Sequence, residues 1–109
     1  MGEDVVLLFS NFPDVDSARK AVRTLVEERL IACGNLIPGV ESIYEWKGAM
    51  ETSAEVMAVC KTTAQSAALV QSRLRALHPY EVPEILQIAV SAGWPEYLAW
   101  VAAQCEQPI

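Results

Sequence analysis

The residues whose types and spacing could do chemistry lie in one short segment, residues 78–84, with the sequence His-Pro-Tyr-Glu-Val-Pro-Glu. It holds the single histidine of the chain, His78, together with Tyr80, Glu81 and Glu84. An imidazole binds metals and exchanges protons near neutral pH, and carboxylates serve as metal ligands or general bases. The chemistry open to this segment is therefore metal binding, ligand binding or acid–base work.

Two prolines make this segment a rigid corner. Pro79 and Pro83 each push the preceding residue out of the α region, so a helix arriving over 64–77 must stop and the chain must continue extended into the apolar run 85–90. A rigid corner loses little conformational entropy when it holds a ligand. The same pattern is also typical of a plain connector between a helix and a strand, so both interpretations stay open.

Length and composition indicate a single domain over residues 1–109. The 109 residues are 52% hydrophobic, which is enough for a core without disulfide or metal cross-links. The net charge is −6 and the Lys and Arg residues are scattered, which argues against nucleic acid and anionic membrane as partners. No apolar stretch approaches the ~18 residues that span a bilayer, and the first residues carry no cationic segment, so we expect a cytoplasmic protein.

The three cysteines, Cys33, Cys60 and Cys105, are odd in number and form no C-x-x-C pair. A disulfide framework or a structural zinc site is therefore not expected. Free cysteine is among the most often buried residue types, so the sequence predicts three small apolar side chains in the core.

The apolar pattern predicts the order β-α-β-β-α-β followed by a C-terminal helix. Apolar runs predict strands at 5–9, at 53–61 around the run 56–60, and at 85–90. Alternation predicts another at 33–45 with a bend at Pro38-Gly39. The predicted helix starts are Asp14 as an N-cap, Thr62 with Gln65 as a capping box, and Pro95 in the first turn. This order predicts the α+β class and a ferredoxin-like split βαβ sandwich.

In that fold, two helices cover one face of the sheet and the other face is bare. The strands at 5–9, 56–60 and 85–90 are apolar in both phases, so a monomer would expose more than the few hundred Å² of apolar patch usual for soluble monomers. We therefore expect identical copies of the chain to cover this face with closed symmetry.

Four segments, at matching order and spacing, resemble the CutA divalent-cation tolerance family: residues 27–48, 61–63, 78–84 and 97–100. The resemblance covers nearly the whole chain. It implies a ferredoxin-like protomer, a tight homotrimer whose sheets pack together, long hairpins that reach neighbouring subunits, and binding of copper or another divalent cation. The family is also similar in fold and assembly to the PII signal proteins, which supports a signalling role by analogy.

The resemblance also implies a metal site, with a cysteine on the first strand, the corner histidine and the glutamate after the second corner proline. In this chain Ser10 stands at the cysteine position, and His78 is a single histidine where some members have two. The remaining ligands, His78 and Glu84, suit Cu(II) or Zn(II) better than Cu(I), because a thiolate is the soft ligand that Cu(I) prefers. Two other roles for His78 stay open: it could be an interface histidine, or it could contact a small ligand.

We further predict a ligand site in a cleft between subunits. Ionisable groups gather where the third strand ends and the fourth begins, and the aromatic face of the hairpin has nothing to cover in its own chain. The predicted lining, with the last two residues contributed by a neighbouring chain, is Lys61, His78, Tyr80, Glu84, Tyr44 and Trp46.

No catalytic apparatus is visible. The sequence has no Ser/His/Asp order, no glycine-rich phosphate loop and no metal-hydrolase spacing, so we do not expect an enzyme. Two functions follow. The first is a homotrimeric divalent-cation tolerance protein that binds copper or another divalent metal. The alternative is a trimeric PII-like signalling or scaffold module that binds a small anion or a partner protein in its inter-subunit clefts, without a physiological metal.

Overall fold

The computed structural model describes residues 4–105 and contains the predicted order of elements. The elements are β1 (Val5–Phe12), α1 (Val15–Glu27), β2 (Cys33–Trp46), β3 (Ala49–Thr63), α2 (Ala67–Leu77), β4 (Leu86–Ala89) and α3 (Pro95–Gln104). The four strands form one antiparallel sheet in the order β2-β3-β1-β4. The predicted α+β class and split βαβ order are confirmed. Between residues 4 and 105, no helix is long and apolar enough to cross a membrane.

The long hairpin of β2 and β3 extends beyond the rest of the sheet. A register shift between Ile37 and Val40 marks the predicted bend, where Gly39 has a φ of +77°. The tip is a two-residue turn in which Lys47 and Gly48 both have positive φ, the geometry of the hairpin turn that matches strand twist. Because of this hairpin the described chain measures 49 Å along its longest axis and only 27 by 21 Å across.

Two of the three predicted helix starts, Asp14 for α1 and Pro95 for α3, are confirmed, and the third is wrong. The Asp14 carboxylate accepts a hydrogen bond from the Ser17 backbone N–H at 2.7 Å and caps α1 as predicted. The capping box at Thr62 does not form, because β3 continues through Thr63 and α2 begins only at Ala67. The Thr62 hydroxyl instead donates to the Leu30 carbonyl at 2.7 Å and ties β3 to the loop before β2.

The core lies between one face of the sheet and helices α1 and α2. Its fully buried members include Leu8, Phe12, Leu25 and Leu74. A second, smaller cluster lies under α3 and consists of Val5, Ala32, Val101 and Cys105. Cys60 and Cys105 are buried as predicted, whereas Cys33 is only half-buried. Burial raises the pKa of the Cys60 thiol to about 12, so this sulfur is a core atom without reactivity at neutral pH.

The opposite side of the sheet, which we call the open sheet face, is apolar and mostly uncovered. Successive residues of a strand point to opposite sides of the sheet, so Leu7 and Phe9, which alternate with the core residues of β1, point to the side away from α1 and α2. In register with them are apolar residues of the other strands, of which Leu86 is 55% exposed, and Ile37 and Ile88 are each 46% exposed. We define the open sheet face as Leu7, Phe9, Ile37, Met57, Val59, Lys61, Leu86 and Ile88.

Candidate functional site

The corner after α2 holds His78 in a buried position. Its side chain is only 7% exposed, and its ring stacks on Phe12 with centroids 4.2 Å apart. Nδ1 accepts a hydrogen bond from the Tyr80 backbone N–H at 3.1 Å, which places the ring proton on Nε2. Nε2 lies 2.9 Å from the Asn11 carbonyl oxygen and donates to it. Both ring nitrogens are therefore used to attach the corner to the end of β1.

Tyr80 points from the corner towards the hairpin. Its hydroxyl donates to the Glu55 carboxylate of β3 at 2.7 Å, and its ring lies 5.0 Å from that of His78. Burial and then the Glu55 carboxylate raise the pKa of Tyr80 well above its usual range. Tyr80 is consequently a hydrogen-bond donor at physiological pH, and it links the corner to the long hairpin.

The burial of His78 predicts a pH-dependent stability. Removal from water lowers the pKa of His78, and this effect outweighs the opposing effects of the Asn11 hydrogen bond and of Glu55; Arg75 lowers the pKa further. The folded-state pKa is thus below the unfolded value of about 6.5, so the unfolded chain takes up a proton first as the pH falls. We expect full stability above about pH 6.5 and a progressive loss as the pH falls through the folded-state pKa.

Thermal melts between pH 5 and 8 measure this effect, with His78→Phe as the variant that keeps an aromatic ring and removes the titrating group. Part of the slope between pH 6.5 and 5 should disappear in the variant. An identical slope in both proteins would contradict the assignment of this step to His78.

Four of the predicted site residues line one cavity beside this corner. This corner cavity has a volume of about 670 Å³ and is bounded by the end of β1, the hairpin and the corner segment. Its lining residues are Asn11, Tyr44, Trp46, Lys47, Glu55, Tyr80, Glu81, Val82 and Glu84. The two hairpin aromatics were expected from a neighbouring chain, but they meet the corner within their own chain. The corner reaches the hairpin through the hydrogen bond from Tyr80 to Glu55, and this contact places it beside the hairpin segment that carries Tyr44 and Trp46.

Lys61 and His78 do not line this cavity, and the structure does not bring them together. Lys61 pairs with Leu7, whereas His78 is bonded to Asn11, whose partner in β3 is Met57. Lys61 and Met57 are separated by about 13 Å along the strand, at roughly 3.3 Å per residue. Because β1 and β3 are antiparallel, the end of β3 lies beside the start of β1, while the corner docks against its end. Within one chain, therefore, the two residues do not share a cleft.

Sequence reasoning missed several of the residues that line the cavity. Asn11 and Lys47 gave no signal that could have identified them, and Val82 was singled out only as part of the corner segment. Glu55 did carry a signal, because it is a charged residue in phase with the apolar Met57 and Val59 of the same strand. Only the register of the hairpin shows that this carboxylate faces Tyr80.

The described residues do not fit the metal centre predicted from His78 and Glu84. A metal ion on His78 would have to displace the hydrogen bond to Asn11 or the one from Tyr80, and Glu84 lines the cavity that the imidazole does not reach. Within residues 4–105, no group of three or more His, Cys, Asp or Glu side chains is arranged to hold a metal ion. Ser10 stands at the position where the resemblance implies a cysteine. It is 1% exposed and carries a hydroxyl in place of the thiolate that Cu(I) prefers.

Comparison with known proteins agrees with the fold. The family model described as CutA1 divalent ion tolerance protein matches residues 6–104. The divalent-cation tolerance protein CutA of Thermus thermophilus is 42% identical over 99 residues, covering 91% of this chain and 94% of that protein. Protein CutA of Mus musculus is 43% identical over 93 residues, and this chain spans only 52% of its length.

The fold of this chain also matches that of a solved CutA structure. The crystal structure of CutA from Xylella fastidiosa matches with a TM-score of 0.93 at 45% identity, over 94% of this chain and 99% of that chain. The family match, the sequence identity to the Thermus thermophilus relative and the structural superposition each extend over the sheet, the corner and α3. On this evidence the chain belongs to the CutA1 divalent ion tolerance family.

Proposed function

We propose that this protein acts in divalent-cation tolerance as a homotrimer. The observation that supports the assembly is the open sheet face, where apolar residues of all four strands lie side by side without cover from their own chain. The observation that supports the cellular role is family membership, since the Thermus thermophilus relative carries the name divalent-cation tolerance protein. Cytoplasmic location and the absence of enzymatic activity stay predictions from the sequence.

Packing within one chain supports association of copies through the open sheet face. Helix α3 covers only the end of the sheet near Val5 and Cys33, and leaves the rows around Phe9 and Val59 open. An apolar face that runs across four strands is rare on soluble monomers, and identical chains usually bury such a face with closed rotational symmetry. Three copies is the number that the family resemblance implies.

Cation binding is proposed for the assembly rather than for one chain. The predicted cation is copper or another divalent metal. Because both His78 nitrogens are hydrogen-bonded and no suitable group of ligands lies within residues 4–105 of one chain, we propose that ligands from different copies hold the ion. A metal site needs several ligands close together, and a threefold arrangement brings each side chain into a set of three.

The corner cavity supports the alternative function, a PII-like module with ligand clefts. The charge of the cavity, however, argues against a small anion as its ligand. Three carboxylates, Glu55, Glu81 and Glu84, line the cavity against one ammonium group, that of Lys47. This charge balance repels anions. A partner protein that docks over the cavity is the form of the alternative that remains.

Growth at raised Cu(II) tests the proposed role. A host strain that lacks this chain should stop growing at a lower Cu(II) concentration than the parent, and the wild-type gene should restore the parental limit. Val59→Asp, which places a charge on the open sheet face, should not restore it, whereas Ser72→Asp on the exposed side of α2 should. An unchanged Cu(II) limit in the deletion strain would contradict the tolerance role, and full rescue by a Val59→Asp protein that is monomeric would contradict the need for assembly.

A further inference from the structure

We propose that the corner cavity binds a linear aliphatic cation that carries two or more ammonium groups. The proposal goes beyond cation tolerance and does not depend on it, because every residue that carries it belongs to one chain. The observations are the charge of the lining, its aromatic rings and one buried acceptor without a partner.

The charges of the lining favour a dication. Three carboxylates and one ammonium group leave a net charge of −2 around the cavity. Glu55 comes from the hairpin, whereas Glu81 and Glu84 come from the corner, and no compact group of three acidic side chains forms among residues 4–105. Carboxylates spread in this way cannot converge on one small metal ion, whose ligands must lie within about 2.6 Å of it. They can pair with ammonium groups at separate points of an extended molecule.

The aromatic rings favour an organic cation over a metal ion. Tyr44, Trp46 and Tyr80 present ring surface to the cavity, and such surface attracts ammonium groups and packs against methylene chains. The chain shows the interaction itself, since the Lys47 ammonium lies 6.0 Å from the centroid of the Trp46 ring. Two of the rings are held in place through their hydroxyls, Tyr44 by Ser53 at 2.8 Å and Tyr80 by Glu55 at 2.7 Å. The aromatic part of the site is therefore already formed without a ligand.

One acceptor at the site has no partner within the described chain. Asn11 lines the cavity, and its Oδ1 atom is buried without a hydrogen bond from any residue between 4 and 105. The backbone of Asn11 is fixed by the hydrogen bond from His78, so the side chain is presented from a rigid position. Buried polar atoms in native proteins are nearly always satisfied, so the Asn11 amide gains a hydrogen bond if Oδ1 turns towards an ammonium N–H in the cavity.

Calorimetric titration of the full chain with putrescine (1,4-diaminobutane) at low salt tests the proposal. We expect saturable binding at one site per chain. Magnesium, which has the same charge without a carbon chain, should not displace putrescine at equal concentration, and butylammonium, which has one charge, should bind at least about fivefold more weakly. The absence of saturable binding at millimolar putrescine, or displacement by an equal concentration of magnesium, would overturn the proposal.

Two variants and one matched control locate the site. Glu84→Gln removes one charge from the exposed rim and should weaken putrescine binding about fivefold, and Trp46→Leu should weaken it several-fold through loss of the ring face. Glu45→Gln removes the same charge from the hairpin strand that carries Trp46, at a position that does not line the cavity, and it should bind as the wild type does. Far-UV circular dichroism establishes that each variant is folded. Unchanged binding in both cavity variants, or an equal loss in Glu45→Gln, would show that the ligand does not occupy this cavity.

Discussion

Replacing Val59 with aspartate is expected to abolish the assembly and to lower the free energy of unfolding by several kcal/mol. Val59 lies in the middle of the open sheet face, paired with Phe9 on one side and Asn35 on the other. In the assembled protein an aspartate here would be buried among apolar side chains, and an uncompensated buried charge costs about 3–5 kcal/mol. Because binding of one copy to another stabilises the folded chain, loss of assembly also lowers the stability of each subunit.

Two matched variants separate the charge from the position. Val59→Ala keeps the site apolar and should retain the assembly with a smaller loss of stability, of about 1 kcal/mol. Ser72→Asp places the same charge on the exposed side of α2 and should leave both quantities within about 0.5 kcal/mol of the wild type. The measurements are light scattering and denaturant unfolding. A Val59→Asp protein with the mass and stability of the wild type would show that the open sheet face is not buried.

Replacing His78 with alanine should lower the free energy of unfolding by about 2–4 kcal/mol. The substitution removes the ring that stacks on Phe12 in the core, and it leaves the Asn11 carbonyl and the Tyr80 N–H without their partner. The corner would then be held to β1 and the hairpin chiefly by the hydrogen bond from Tyr80 to Glu55. Denaturant unfolding followed by circular dichroism measures the loss.

The comparison with two further variants assigns this loss to its causes. His78→Phe keeps a stacked ring and removes both hydrogen bonds, so it should fall between the wild type and His78→Ala. Arg75→Ala, on the exposed side of α2, should change stability by less than about 0.5 kcal/mol. A His78→Ala protein as stable as Arg75→Ala would mean that the histidine does not fix the corner.

The fold could be predicted from the sequence because its signals are local and periodic. The apolar runs of β1 and β3, the helical spacing after Asp14 and the Pro38-Gly39 bend each depend on residues close together in the chain. The open sheet face could be predicted as well, because a strand that is apolar in both phases must have something on each side. The capping box failed because Thr62 has a long-range partner, the Leu30 carbonyl, that outweighs its local preference for a helix start.

The site could be predicted only in part, because it depends on strand register. The sequence singles out four residues by their types, and all four line one cavity: Tyr80, Glu84, Tyr44 and Trp46. Lys61 and His78 were placed with them on the assumption that the end of β3 and the start of the corner are close, and the antiparallel pairing with β1 separates them. Proximity of this kind is fixed by hydrogen bonds between strands distant in sequence, which no local pattern encodes.

The molar mass in solution is the most direct test of the proposal that copies of this chain cover the open sheet face. Light scattering on a size-exclusion column should give three chains of 11.9 kDa, about 36 kDa in total. The mass should stay the same on dilution through the micromolar range, since an interface made of sheet faces resembles a protein core. A mass near 11.9 kDa for a folded wild-type protein at micromolar concentration would contradict it.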